Sequence, residues 1–188
     1  MFPIFEQGGG HGIGHGLDSF LKRVDEVFAQ HRTEGRAKAF ALILYDFENK
    51  PIKQILKNQG VFAKLDRLSG NEISIFYLHT GKRQAIDRFN SELLRIMAFS
   101  VPPQMPCIIF FKFDRNSFED IKAVELESPD LINGFGEIDS LIKLYLEQNE
   151  SEYTSTFDKL AWIKSAAKFV SLEALKDIIQ KAVEHFPR

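Results

Sequence analysis

Residues 104–113 read Gln104-Met105-Pro106-Cys107-Ile108-Ile109-Phe110-Phe111-Lys112-Phe113, and this stretch decides the predicted fold. Proline has no main-chain N–H to donate, so within sheets it is confined to edges, bulges and the beginnings of strands. The apolar residues after Pro106 make a short continuous run, which is typical of a strand buried on both faces. We therefore predict a core strand that begins immediately after a proline.

Two earlier apolar runs, residues 39–45 and 73–78, predict further buried strands. Pro51 is well placed to be the first residue of a helix between them, over residues 51–68. A second amphipathic helix follows residues 73–78 and is stopped by the proline-rich segment 100–106.

After the third strand, residues 114–117 suit a hairpin loop, and residues 123–127 alternate as a half-exposed edge strand should. A loop containing Gly134 and Gly136 then leads into a last core helix. A βαβ unit followed by a hairpin and a helix predicts an α/β fold, a mixed four-stranded sheet with helices on both faces.

This order resembles the thioredoxin fold over residues 39–148, and residues 104–113 are similar to that family's proline-led strand. The resemblance implies a cis peptide bond between Met105 and Pro106. It also implies a Cys-x-x-Cys motif at the start of the first core helix, which corresponds to residues 47–53. That segment contains no cysteine, so two-thiol exchange within the chain is excluded. Cys107, the only cysteine, heads a buried strand instead, and we interpret it as a packed core thiol.

Composition limits the classes of function. The chain has 188 residues, 24 basic and 26 acidic side chains, and a net charge of -2, which makes nucleic acid an unexpected partner. No apolar run is long enough to span a bilayer, and the N-terminal residues do not read as a secretory signal. We expect a cytoplasmic protein with no membrane partner and no cofactor.

The remaining segments predict extensions of a single domain. Residues 1–16 are glycine-rich and suit a flexible arm; His11 and His15 there make at most a weak metal site. Residues 17–32 predict an N-terminal helix, and residues 151–188 predict a C-terminal pair of helices, with Leu160 to Val170 on the first. These terminal helices could pack on the core or form a homodimer.

An enzymatic interpretation stays open in two forms. Asp46, Glu48 and Lys50 would lie on one side of an extended chain, as in part of the metal-dependent nuclease pattern. That pattern needs a further acidic residue upstream, which we do not identify. The other form is a one-cysteine redox protein that uses Cys107.

The sequence favours a non-redox, thioredoxin-like module that binds a protein or peptide, with no catalytic and no metal-binding residue assigned. In the fold that it resembles, the loop before the third strand meets the turn before the first core helix. We predict the binding residues from these two segments: Phe47, Glu48, Asn49, Lys50, Met105 and Pro106.

Overall fold

The structure is a computed structural model of the chain. It describes residues 2–5, 26, 29, 39–57, 73–79, 82–114, 117–127, 131–150, 164–165, 170–171, 173–174, 176–178 and 181. The elements in chain order are β1 (Phe2–Phe5), β2 (Ala39–Leu44), α1 (Lys50–Lys57), β3 (Ile73–His79), α2 (Arg83–Met97), β4 (Cys107–Asp114), β5 (Ser117–Glu125), α3 (Leu131–Glu150), β6 (Lys164–Ser165) and β7 (Val170–Ser171).

All the strands join one mixed sheet in the order β1-β3-β2-β4-β5-β6, with β7 also paired to β5. The first three strands of this order run parallel, and β4 runs antiparallel to both β2 and β5. The four central strands have the predicted order, so the predicted α/β fold class is confirmed and the topology is compatible with the thioredoxin fold.

Helices cover both faces of the sheet. On one face, α1 and α3 contact each other. The hydroxyl of Tyr77 on β3 donates to the carbonyl oxygen of Leu56 on α1 at 3.3 Å, and the ring of Phe110 on β4 stacks on Tyr145 of α3 at 4.4 Å. Helix α2 supplies the other layer and buries Phe89, Leu93 and Met97.

The face of the sheet that α2 covers carries a row of phenylalanine rings across the four central strands. The ring centroids of Phe76 and Phe40 lie 6.5 Å apart, those of Phe40 and Phe111 lie 5.7 Å apart, and those of Phe111 and Phe118 lie 4.5 Å apart. Each of the four is at most 2% exposed. Since successive side chains of a strand point to opposite faces, Phe110 and Phe111 serve the two separate layers.

The first residues of the chain differ from the prediction. The sequence predicts a flexible arm over residues 1–16, but Phe2–Phe5 forms β1, which pairs in parallel with β3 from Phe2 opposite Phe76 to Phe5 opposite His79. Short apolar segments gain main-chain hydrogen bonds by adding to an open strand edge, and a composition-based assignment does not see that edge. The glycine-rich stretch that follows lies outside the described residues.

The C-terminal segment also differs in part. Lys164–Ser165 and Val170–Ser171, predicted to lie in a helix, are strands that pair antiparallel with β5. The apolar residues there have helical spacing, but pairing with β5 determines the structure. The main-chain N–H and C=O groups along the side of β5 form hydrogen bonds with an extended segment and not with a helix. The described residues 173–174, 176–178 and 181 are helical, with Ile178 buried. Of the predicted N-terminal helix the structure describes only Glu26 and Ala29, both helical.

Strand β5 is longer than predicted. It is not an edge strand, because β6 and β7 pair with it. It begins at Ser117 and carries a register shift opposite Phe110 and Lys112, close to Asp120, whose φ is 50°. A bulge of this kind breaks strict alternation, which hid the first half of the strand from pattern reasoning. Similarly, the expected loop around Gly134 and Gly136 is the first part of α3, since a helix tolerates glycine at a cost of about 1 kcal/mol.

Candidate functional site

The two predicted binding segments lie at the same end of the sheet. Leu44, the last residue of β2, is paired with Cys107, the first residue of β4. The turn after Leu44 and the loop before Cys107 therefore leave the sheet from neighbouring positions. The peptide bond between Met105 and Pro106 is cis, as the resemblance implied.

Residues 46–49 form a turn that begins helix α1. The main-chain N–H of Asn49 donates to the carbonyl oxygen of Asp46 at 2.9 Å. The Asn49 side-chain oxygen accepts a hydrogen bond from the main-chain N–H of Ile52 at 3.0 Å, which is the geometry of a helix N-cap. Pro51 lies in the first turn, where a missing N–H costs no helical hydrogen bond. Asn49 is thus a structural cap, a role that the sequence analysis did not assign to it.

Three other side chains of this segment carry charge or aromatic surface. The Lys53 ammonium lies 3.2 Å from the centroid of the Phe47 ring, a cation–π contact that holds the half-buried ring against the start of α1. Glu48 forms an ion pair with Arg83, the first residue of α2, and both side chains are largely exposed. Lys50 is exposed. The turn is therefore linked to the N-terminal ends of both α1 and α2.

The proline loop is fixed from its other side by β5. The main-chain N–H of Leu126 donates to the carbonyl oxygen of Pro106 at 2.8 Å, and that of Gln104 donates to a carboxylate oxygen of Glu125 at 2.8 Å. Met105 and Pro106 are half-buried, and the Met105 side chain packs on the hydrophobic core. Residue Val101 in the same loop is 59% exposed.

Asn90 on α2 joins the two segments, and it is the functional-site residue that sequence reasoning missed. Its side-chain Nδ2 donates to the carbonyl oxygen of Tyr45 at 3.0 Å and to the sulfur of Met105 at 3.1 Å. Asn90 is only 4% exposed. One signal was available, because position 90 falls between Ile86 and Leu93 on the apolar stripe of the helix, where an amide needs partners.

Asp46, at the start of the turn, has a shifted pKa, and Asp87 on α2 contributes to the shift. Partial burial raises the pKa of the Asp46 carboxyl above its usual value, and the negative charge of Asp87 on α2 raises it further. Both changes favour the protonated form, since desolvation and a like charge disfavour the carboxylate.

Cys107 is completely buried, with 0% of its surface exposed. It is the first residue of β4 and is paired with Leu44, the last residue of β2. A reactive thiolate needs access and a positive environment, so this placement suits the packed-thiol interpretation.

The geometry that the nuclease hypothesis required is not formed. Strand β2 ends at Leu44, residues 47–48 are a turn, and Lys50 begins α1, so strand alternation does not align Asp46, Glu48 and Lys50. Within the described part of the chain, no group of three or more histidine, cysteine or acidic side chains is arranged to hold a metal ion.

Comparisons of the chain with protein-family models, with curated proteins and with solved structures found no match. Among the described residues, no helix combines the length and the apolar character needed to cross a membrane.

Proposed function

We propose that this protein is a non-redox, thioredoxin-like binding module of the cytoplasm that holds an extended peptide segment of a partner protein. The peptide lies between the turn of residues 47–50 and the loop of Met105 and Pro106. The proposal includes membership of the thioredoxin-like superfamily, which the sheet order and the cis bond support.

The observation that carries this proposal is that the main-chain groups of Met105 are not paired within the described structure. Among the residues that the structure describes, none hydrogen-bonds to its N–H or its C=O, whereas the carbonyl of Pro106 is paired with Leu126. Main-chain donors and acceptors that are unpaired at the end of a sheet can pair with an added extended chain. This mode of binding uses hydrogen bonds to the peptide main chain, so it tolerates many different peptide sequences.

The two segments also contribute apolar side chains to the proposed site. Phe47 and Met105 are both half-buried and pack on the core, so their exposed parts are held in place before binding. Preorganised groups lose little conformational entropy when a ligand arrives. Contacts of this kind favour a partner with apolar side chains flanking the paired residue.

Selection from a displayed library of random peptides tests the proposal, followed by affinity measurements on the purified winners. We expect Met105→Arg and Phe47→Ala each to weaken binding at least about ten-fold, since they crowd or remove the apolar contacts. Glu147→Arg is the matched control, because this exposed residue lies near the far end of α3 and should leave affinity unchanged.

A second arm tests main-chain pairing directly. Replacing single peptide amides of a selected ligand with esters removes one N–H at a time, and one position should lose about 1 kcal/mol or more of binding energy. If no peptide binds, or if every bound peptide tolerates Met105→Arg and Phe47→Ala, the proposed site is wrong.

A further inference from the structure

We infer that Met105 is a methionine-oxidation site of this protein and that its sulfoxide forms with a single configuration at sulfur. The chain contains three methionines. Met97 is 0% exposed, whereas Met105 is partly exposed in a loop whose neighbours Val101 and Gln104 are exposed. The two residues stand eight positions apart and differ in access to solvent, so the fold shields Met97 completely and Met105 only in part.

The contact with Asn90 gives this site its handedness. A thioether sulfur carries two lone pairs, and the Asn90 amide nitrogen, 3.1 Å away, approaches one of them. Asn90 is held in place because the same nitrogen donates to the Tyr45 carbonyl oxygen at 3.0 Å. An oxygen added at that lone pair would lie between the sulfur and the Asn90 nitrogen, which are only 3.1 Å apart. There is no room for it, since an N–H···O hydrogen bond alone needs about 2.9 Å between nitrogen and oxygen. Oxygen must therefore add at the other lone pair.

A hydroperoxide is the class of oxidant that we name for this reaction. The free sulfur lone pair attacks the terminal peroxide oxygen, the S–O bond forms and the O–O bond breaks. The sulfur is oxidised by two electrons, and hydrogen peroxide is reduced to water once the departing hydroxide has taken the proton of the transferred hydroxyl. The product is methionine sulfoxide, a polar and chiral group, which dedicated reductases reverse, one enzyme for each sulfur configuration.

The consequence for binding rests on the proposed function. Met105 contributes apolar surface to the proposed peptide site and packs on the core. A sulfoxide there places a strong hydrogen-bond acceptor among apolar contacts, so peptide binding should weaken when Met105 is oxidised. A chain without a redox pair of thiols would thereby respond to peroxide through a thioether.

The experiment on the chemistry uses hydrogen peroxide and the full chain, folded and denatured. Met97 and Met105 fall in the same tryptic peptide, residues 96–112, so fragment ions must separate them. In the folded protein we expect Met105 to oxidise at least about ten-fold faster than Met97, and in denaturant we expect equal rates. Of the two reductases, one should restore most of the folded-state product and the other little of it.

Equal oxidation of the two methionines in the folded protein would overturn the inference, and so would repair of similar fractions by both reductases. Met105→Leu keeps the volume but has no sulfur, so the peptide affinity of this variant should not respond to peroxide. In the wild-type protein, affinity should fall on oxidation and return with the effective reductase. Failure of all peptides to bind would count against the proposed function alone, because the oxidation measurements need no ligand.

Discussion

The buried amide of Asn90 lies 3.0 Å from the carbonyl oxygen of Tyr45, although the two residues are 45 positions apart in the sequence. This contact ties helix α2 to the point where β2 leaves the sheet. A carbonyl at the end of a strand has no further ladder partner, so the amide supplies the hydrogen bond that the sheet no longer provides. The turn of residues 46–49 thus begins from an anchored residue.

Replacing Asn90 by alanine should lower the free energy of unfolding by about 1–3 kcal/mol, because the buried Tyr45 carbonyl loses its donor. Asn90→Asp, which keeps the shape but removes both N–H donors, should cost at least as much at neutral pH. Chemical denaturation measures both. Ser91→Ala is the control; the exposed Ser91 hydroxyl donates only to the Arg88 carbonyl, and its loss should stay within about 0.5 kcal/mol. A loss for Asn90→Ala no larger than this control would contradict the anchoring role.

The phenylalanine row predicts coupling between strands. Phe40 and Phe111 stack with ring centroids 5.7 Å apart, so leucine substitutions at both should be non-additive, with a coupling energy of about 0.5–1.5 kcal/mol. A double-mutant cycle followed by denaturation gives this energy.

Phe76 and Phe118 provide the matched cycle, because they stand at the two ends of the same row. Three strand spacings of about 4.8 Å separate them, so their substitutions should add within about 0.5 kcal/mol. Equal coupling in both cycles would mean that the rings do not act through direct contact.

Much of the central fold could be predicted because its signals are local and redundant. The apolar runs that contain Phe40, Phe76 and Phe110 are each long enough to bury a strand, and proline marks the start of the last one. The order of these runs leaves few topologies once right-handed crossover is required. The cis bond before Pro106 followed from resemblance and not from any local pattern.

The misses share another physical cause, which is pairing at the edges of the sheet. Val170 sits at helical spacing in the sequence, yet it pairs with Phe118, because the energy of an added strand depends on a distant partner. Phe2 likewise lies in a strand only because it pairs with a residue distant in the sequence, Phe76. For the candidate site, the sequence indicated the two segments but not Asn90, since its role appears only when α2 is laid against both.

Cys107 should behave as a core residue in solution. Its surface is 0% exposed, so alkylation at neutral pH should proceed only through opening of the sheet and should be slowed by orders of magnitude relative to the denatured chain. The measurement is the rate of labelling by iodoacetamide, with the denatured protein as the reference for full reactivity. Rapid labelling of the native protein would restore the one-cysteine redox hypothesis.

Asp46 should make stability depend on pH with a defined sign. Its pKa is raised in the folded protein, first by burial and second by Asp87, above the ordinary value of 3.8. Between that value and the higher folded-state pKa, the folded chain binds more protons than the unfolded chain. The contribution of Asp46 to the free energy of unfolding therefore falls as pH rises through this window, and the penalty is complete at neutral pH.

Asp46→Asn should accordingly stabilise the protein at neutral pH, and the gain should vanish below the unfolded-state pKa, where both forms of the wild-type protein are protonated. Denaturation of wild type and variant across pH measures the difference, which cancels the titration of other groups. Asp87→Asn should return the Asp46 pKa toward its usual value, which an NMR titration of the side-chain carboxyl carbon would detect. A stabilisation by Asp46→Asn that grows on acidification would have the wrong sign and would refute this account of the turn.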